Sequence, residues 1–136
     1  MNGIYVLVIS VDTDTELAVG ALGQVYFEKG LYAYVGSAQA NLEKRVARHL
    51  RKTKRKFWHI DYLLDSEAAK IIRVFWKYAT KDEECAVAYR LGRNSRGVKQ
   101  FGCGDCKCAS HLFRLDAHQL MTGLMGEMLP LSTQGV

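Results

Sequence analysis

An arginine and a histidine lie four residues apart on a predicted helix, directly after an aromatic strand that ends at a glycine. The strand is predicted over 31–36 and the helix over about 41–53, with Asn41 as its N-cap. Residues four apart share one helix face, so Arg45 and His49 lie one turn above each other. A guanidinium can hold phosphate oxygens, and an imidazole can bind phosphate or assist proton transfer. This pair is therefore a candidate for phosphate chemistry.

The same helix begins a strongly basic stretch. From Lys44 to Lys56 the chain has eight lysines or arginines and no acidic residue. Like charges repel unless a polyanion compensates them, and nucleic-acid phosphates do so with release of counterions. A solvated helix face is the alternative, whereas a membrane surface would need the apolar face that the core requires. The predicted nucleic-acid contacts are Lys44, Arg48, Arg51, Lys52, Lys54, Arg55, Lys56 and the following His59.

Two aromatic residues follow the basic stretch on a predicted short helix over 57–64. Trp58 and Tyr62 lie at helical spacing, and we expect them to pack that helix on a sheet. Stacking on unpaired bases is the alternative, because aromatics beside basic residues suit single strands. His59 is less apolar than its neighbours, so we expect its side chain to face the cleft where nucleic acid would bind.

The elements that must position these residues form one α+β domain. Residues 3–11 are apolar and β-branched, which predicts a central strand. Strands over 24–28 and 31–36, with a hairpin turn at Lys29-Gly30, imply antiparallel pairing. Further predicted elements are strands at 70–77 and 110–115, a helix at 82–92 capped by Asp82, and a tail helix at 117–128 stopped by Pro130. We therefore expect a small, mainly antiparallel sheet flanked by helices.

The composition is consistent with one globular domain. The chain has 136 residues, 49% of them hydrophobic, one proline and a net charge of +5. No stretch is long and apolar enough to cross a membrane, and the N-terminus lacks a signal-peptide pattern. We therefore expect a cytoplasmic protein with no membrane partner.

Two triplets resemble the signature of the GIY-YIG nucleases. Gly3-Ile4-Tyr5 opens the first strand, and Tyr34-Val35-Gly36 ends the strand before the basic helix. Most of the chain is similar to an uncharacterised GIY-YIG-like group that occurs alone or fused to DNA-repair glycosylases. The likeness includes Trp-His-Ile-Asp-Tyr-Leu-Leu, Glu-Cys, Gly-Cys-x-Asp-Cys and Ser-His-Leu-Phe.

The resemblance implies a set of catalytic residues. Arg45 falls where the family places its phosphate-contacting arginine, and His49 matches a histidine of homing members. Glu84 matches the glutamate that holds one divalent cation, Mg²⁺ or Mn²⁺. Tyr5 would take the proton of the attacking water if the cation and Arg45 lowered its pKa from about 10. Tyr34 would orient the water or Tyr5.

The implied activity is hydrolysis of phosphodiester bonds by an endonuclease, with DNA as the expected substrate and DNA-repair proteins as expected partners. Two alternatives keep the scaffold without the chemistry, namely a nucleic-acid-binding module and an interaction module for a repair enzyme. Outside the motif, the two strand tyrosines would be read as core residues.

Four cysteines are present, and three of them lie within six residues: Cys103, Cys106 and Cys108. In a reducing cell such a cluster indicates thiols or a metal site rather than disulfides. A structural Zn²⁺ site on these three and His111 has one Cys-x2-Cys pair but lacks a second. We therefore favour reduced thiols that support a turn, and His111 could instead face the cleft.

Overall fold

A computed structural model describes residues 3–51, 55–93, 95–103 and 108–115, together with the backbone of 129–130. The strands in this part are β1 Gly3–Val11, β2 Thr15–Ala18, β3 Gln24–Phe27, β4 Gly30–Ala38, β5 Ala69–Tyr78, β6 Arg96–Gly97, β7 Leu112–Leu115 and β8 Leu129–Pro130. The α-helices are α1 Leu42–Leu50, α2 His59–Leu64 and α3 Asp82–Gly92. A six-stranded sheet has the order β6-β7-β4-β1-β5-β8, and its neighbours pair antiparallel.

The first strand, β1, lies inside the sheet, as predicted. It pairs with β4 on one side and β5 on the other, and nearly all of its residues are buried. Successive side chains of a strand point to opposite faces. Ile4, Val6 and Val8 therefore pack in one core, while Tyr5 and its alternate neighbours pack in another. Burial on both faces explains the near-continuous apolar sequence.

Helices cover both faces of the sheet. The core that contains Tyr5 includes Leu42 and Val46 of α1 and Ile60 of α2. The opposite core includes Val87 and Leu91 of α3. The α+β fold with a mainly antiparallel sheet flanked by helices is therefore confirmed.

The predicted hairpin at Lys29-Gly30 is wrong. β3 pairs with β2 in a separate two-stranded sheet, while β4 pairs with β1 from Gly3↔Ala38 to Val11↔Gly30. The Lys29 amide donates a hydrogen bond to Oδ1 of Asp14 at 2.7 Å. This contact holds the start of β4 beside the turn before β2. All nine residues of β4 therefore pair with the more apolar β1 and none pairs with β3.

Other boundaries differ by small amounts. A 3-10 turn, Gly20–Leu22, connects β2 to β3. Lys81 is the N-cap of α3, so Asp82 is its first helical residue. α1 ends at Leu50, earlier than predicted.

The far end of the chain adds a strand beyond the one expected to be last. β8 pairs with Phe75 and Trp76 of β5 and follows β7 in the sequence. The predicted tail helix at 117–128 lies outside the described residues. Among the helices that are described, none has the length and apolarity to cross a membrane.

Candidate active site

A cleft of about 460 Å³ opens where β1 and β4 meet α1 and the start of α3. Four of the five predicted catalytic residues line it: Tyr5, Tyr34, Arg45 and Glu84. The fifth, His49, is buried and contacts Tyr5. His59 also lines the cleft, as expected. The fold therefore brings the five predicted catalytic residues together from four separate elements, β1, β4, α1 and α3.

Gly36 makes room for the Tyr5 side chain. The two residues are direct partners in the β1–β4 ladder. A Cβ on residue 36 would overlap the Tyr5 ring at Cζ and the hydroxyl oxygen. Side chains in a close-packed core cannot absorb such an overlap without a shift. The glycine of the second triplet is therefore required by the tyrosine of the first.

The Tyr5 hydroxyl oxygen lies 2.7 Å from Nε2 of His49, and both side chains are buried. Burial raises the pKa of Tyr5, and this effect outweighs the lowering by the Arg45 charge. The predicted role of Tyr5 as a proton acceptor required the cation and Arg45 together to lower its pKa. Arg45 does lower this pKa, but by less than burial raises it. Tyr5 is a neutral phenol at neutral pH, so its O–H can donate to an unprotonated Nε2.

Tyr34 packs beside the same histidine. The centroids of the Tyr34 and His49 rings are 6.1 Å apart in an edge-on arrangement. Burial raises the pKa of Tyr34 well above its usual value, and the neighbouring Tyr5 and Glu84 add to this effect. Tyr34 therefore presents a neutral hydroxyl at the cleft wall, which suits orientation of a ligand better than proton abstraction.

Arg45 is held in place before any ligand binds. Its Nη1 donates a hydrogen bond to the carbonyl oxygen of Ser37 at 3.1 Å. Its guanidinium carbon lies 4.7 Å from the centroid of the Trp58 ring. A guanidinium held by stacking and one hydrogen bond still has further N–H donors for an anion. Trp58 is thus both a packing residue, as expected, and a support for the arginine.

Glu84 is the carboxylate of the cleft. Oε1 accepts a hydrogen bond from the hydroxyl of Ser37. Oε2 lies 3.1 Å from Nδ1 of His111, and this nitrogen is also 3.2 Å from the carbonyl oxygen of Val35. Because both neighbours of Nδ1 are acceptors, we assign the imidazole proton to this nitrogen. Two donors therefore orient the carboxylate from below.

This carboxylate suits a hard cation. Mg²⁺ prefers oxygen ligands and is usually bound by one or two carboxylates together with water and substrate phosphate. Glu84 lines an open cleft, its side chain is 18% exposed, and its carboxylate supplies the oxygen ligands that such a cation prefers. The donor chemistry at Glu84 therefore fits the expected Mg²⁺ or Mn²⁺.

His59 has one fixed ring nitrogen. The Gly102 amide donates a hydrogen bond to Nδ1 of His59 at 2.9 Å. Partial burial lowers the pKa of His59, which favours the neutral ring. With Nδ1 accepting, the proton of the neutral imidazole sits on Nε2. His59 can therefore act as a neutral hydrogen-bond donor.

Arg48 has a structural partner that the basic stretch did not reveal. Its two terminal nitrogens lie 3.0 Å from the two carboxylate oxygens of Asp61, and Asp61 also accepts from the amides of Phe57 and Trp58. Burial by itself would raise the pKa of Asp61, but these hydrogen bonds, with that from Arg48 foremost, lower it below its usual value. The acidic residue that compensates the charge of Arg48 is therefore Asp61 of α2, which lies outside the basic stretch from Lys44 to Lys56.

The remaining basic side chains have a different distribution. Lys44, Arg51, Arg55 and Lys56 are exposed, and Lys56 forms a salt bridge of 3.4 Å with Asp65. Lys52 and Lys54 lie outside the described residues. Next to these charges Phe57 is 78% exposed at the cleft. Phe57 was not singled out in the sequence, where it was only the first residue of the helix predicted over 57–64; in the structure it precedes α2.

Ser37 and Lys81 also line the cleft without having been predicted. Ser37 directly follows the glycine of the second triplet, and its position on β4 places its hydroxyl on Glu84. Its position directly after the second triplet was the feature of the sequence that could have identified Ser37 as a site residue. Lys81 precedes α3, where a lysine is ordinarily a solvated residue.

The cysteines are arranged differently from the sequence-based zinc alternative. Cys85 of α3 lies with Cys108 and His111, and one ligand atom of each lies within 4.8 Å of the others. Cys103 is instead buried and its thiol donates to the carbonyl oxygen of Phe101 at 3.4 Å. Cys106 lies outside the described residues. Among the described residues, Cys103 is not part of this group, and Cys85 was missed because it is 23 residues from Cys108.

Comparison with known proteins gives one match. A family model described as "Domain of unknown function DUF123" matches residues 4–130. No curated protein and no solved structure matches the sequence. The matched range includes Tyr5, Arg45, Glu84 and His111 and nearly the entire described structure. The chain therefore belongs to the DUF123 family.

Proposed function

We propose that the cleft hydrolyses phosphodiester bonds in nucleic acid, as an endonuclease that uses one divalent cation. One observation carries this proposal: Tyr5, Arg45 and Glu84 line the same open cleft. Phosphodiester hydrolysis needs a proton acceptor for water, a cationic donor for phosphate oxygens and charge stabilisation at the transition state. The resemblance of the two triplets to the GIY-YIG signature supports the same assignment.

Arg45 binds the phosphate. The Ser37 carbonyl and the Trp58 ring fix its guanidinium, so little side-chain entropy is lost when the anion arrives. Its remaining N–H groups donate to the non-bridging oxygens. A cation held by Glu84 would offset the negative charge that develops on these oxygens.

Tyr5 and His49 accept the proton of the attacking water together. The water transfers its proton to the Tyr5 oxygen as the phenolic proton passes to Nε2 of His49, 2.7 Å away. This coupled transfer never requires a free phenolate, whose formation burial opposes. The base is therefore the imidazole, and Tyr5 carries the proton from the cleft to it.

The surface beside the cleft favours a polymeric substrate over a small phosphate ester. Arg51, Arg55 and Lys56 are exposed, and the Phe57 ring next to them is open to solvent. Basic side chains neutralise backbone phosphates, while an aromatic ring stacks on an unpaired base. We expect DNA with a single-stranded or distorted part, in a repair setting where protein partners are also expected.

The same surface supports a second candidate function. A module that binds nucleic acid without cutting it would need the basic residues and Phe57 but not Glu84. A repair-partner interaction module would need neither.

Incubation of the purified chain with branched, nicked, single-stranded and duplex DNA, and with RNA, tests the proposal. We expect at least one DNA structure to be cut with Mg²⁺ or Mn²⁺, and none in EDTA. Salt-dependent binding without cleavage would replace the nuclease with the binding module. Neither binding nor cleavage would favour the protein-interaction alternative.

A further inference from the structure

Next to Glu84 lies a group of soft metal ligands, none of which lines the cleft. It consists of the thiols of Cys85 and Cys108 and the imidazole of His111. Cys85 follows Glu84 on α3, and neighbouring residues on a helix point about 100° apart. The start of α3 can therefore present a carboxylate to the cleft and a thiol to this second group.

The spacing of the three ligand atoms is close to that around zinc. With Zn–S bonds of about 2.3 Å and Zn–N bonds of about 2.0 Å, ligand atoms of a tetrahedral site are roughly 3.5–3.8 Å apart. In the structure the three atoms lie within 4.8 Å of one another. Side-chain adjustments of about 1 Å would suffice to close the group on one ion.

His111 has the surroundings of a metal ligand. Its Nδ1 contacts Oε2 of Glu84 at 3.1 Å and the Val35 carbonyl at 3.2 Å. Zinc-binding histidines commonly donate their second ring N–H to a carboxylate or a carbonyl, which fixes the tautomer and the ring orientation. Nδ1 serves that purpose here, and Nε2 is the nitrogen that we assign to the metal.

We propose that Cys85, Cys108 and His111 bind a zinc ion that joins α3 to the segment before β7. Two thiolates and an imidazole select Zn²⁺ over Mg²⁺, which prefers oxygen ligands. The site is separate from the cation expected at Glu84, and it stands whether or not the cleft hydrolyses DNA. Through His111 the zinc also holds the ring on which Glu84 rests.

Metal analysis of the full chain, purified without chelator, tests the site. We expect about one zinc per chain, retained in excess Mg²⁺. Cys85→Ser and Cys108→Ser should each lower zinc affinity by more than about tenfold, measured by competition with a colorimetric chelator. Cys103→Ser is the matched control, because this thiol contacts the Phe101 carbonyl and lies outside the group. It should keep the wild-type affinity. Far-UV circular dichroism reports whether each variant folds.

Cobalt substitution tests the same ligands without reference to activity or folding energy. Co²⁺ added to the zinc-free protein should give a thiolate-to-metal charge-transfer band, which Cys85→Ser reduces and Cys103→Ser leaves unchanged. Three results would overturn the proposal. The first is a wild-type protein that contains no zinc and gives no cobalt band. The second is a band that is lost in Cys103→Ser but not in Cys85→Ser, and the third is a metal-free disulfide between Cys85 and Cys108 in freshly purified protein.

Discussion

The hydroxyl of Tyr5 lies 2.7 Å from Nε2 of His49, and the two rings pack at a centroid distance of 5.4 Å. Tyr5 lines the cleft, whereas His49 is buried beneath it. In the proposed reaction, a proton taken up by Tyr5 at the cleft would therefore reach His49, which does not itself line the cleft.

Tyr5→Phe should leave folding and DNA binding largely intact while slowing cleavage by about 10²-fold or more, because it removes the oxygen through which the proposed proton transfer passes. Single-turnover cleavage and binding should be measured side by side. Tyr32→Phe is the control, since this strand tyrosine bonds to the Glu28 carbonyl outside the cleft lining. Equal rates for Tyr5→Phe and wild type would remove Tyr5 from the chemistry.

Gly36→Ala should destabilise the fold by about 1–3 kcal/mol, as expected for overpacking a filled core. The new Cβ would overlap the Tyr5 ring, so part of this cost should disappear in a Tyr5→Ala background. Urea unfolding of the two single variants and the double variant gives the coupling energy. A Gly36→Ala cost that is the same in both backgrounds would show that the glycine serves another purpose.

Asp61→Asn should cost on the order of 3 kcal/mol of unfolding free energy, because it leaves Arg48 without its buried partner. Asp65→Asn removes a salt bridge whose side chains are 41% and 56% exposed, and it should cost about 0–1 kcal/mol. Urea unfolding at neutral pH compares them. Equal costs would mean that the Arg48–Asp61 pair does not hold the loop before α2.

The contribution of Asp61 should also depend on pH. Its pKa is lowered in the folded state, so the unfolded chain binds the proton more readily, and the stabilisation is fully present above the unfolded value of about 3.8. It is lost as the pH falls through the lower folded value. The stability gap between wild type and Asp61→Asn should therefore narrow below about pH 3.8. A gap that instead closes between pH 5 and 7 would point to another group.

The sequence predicts the sheet better than it predicts the contacts between its elements. The unbroken apolar run of β1 indicates a strand buried on both faces, and this pattern is local. β3 pairs with β2, the strand before it in the sequence, whereas β4 pairs with the more distant β1, from Gly3↔Ala38 to Val11↔Gly30. The turn-type dipeptide Lys29-Gly30 therefore suggested a hairpin of β3 and β4, but the pairing of β4 with β1 is more favourable.

The site shows the same limit. The triplets place Tyr5 and Gly36 in strands, but only the ladder register shows that one residue makes room for the other. The basic stretch reports charge but omits Asp61, which lies five residues beyond its end at Lys56. Cysteine spacing put Cys103 among the ligands of the zinc alternative, whereas in the structure its thiol donates to the Phe101 carbonyl. Sequence spacing cannot give the direction of a side chain in an irregular segment.

Arg51→Ser with Arg55→Ser should weaken nucleic-acid binding and reduce the slope of log affinity against log salt. If each side chain neutralises one duplex phosphate, the slope should fall by about 0.9 per residue. Arg73→Ser with Arg93→Ser is the matched control, since both are exposed and neither lines the cleft. If the Arg73→Ser, Arg93→Ser control lowers the salt slope as much as Arg51→Ser with Arg55→Ser does, the nucleic-acid-binding face is not at Arg51 and Arg55.

The cleavage rate of Glu84→Gln tests the central claim most directly. The substitution keeps the shape of the side chain and removes the charge that would hold the cation, so the single-turnover rate at saturating Mg²⁺ or Mn²⁺ should fall by about 10²-fold or more. Glu83→Gln is the neighbouring control, because Glu83 forms a salt bridge with Lys77 and does not line the cleft. The Glu83→Gln variant should cut at the wild-type rate. Cleavage by Glu84→Gln at the wild-type rate, or a wild-type protein that cuts no DNA or RNA structure with either cation, would contradict the account.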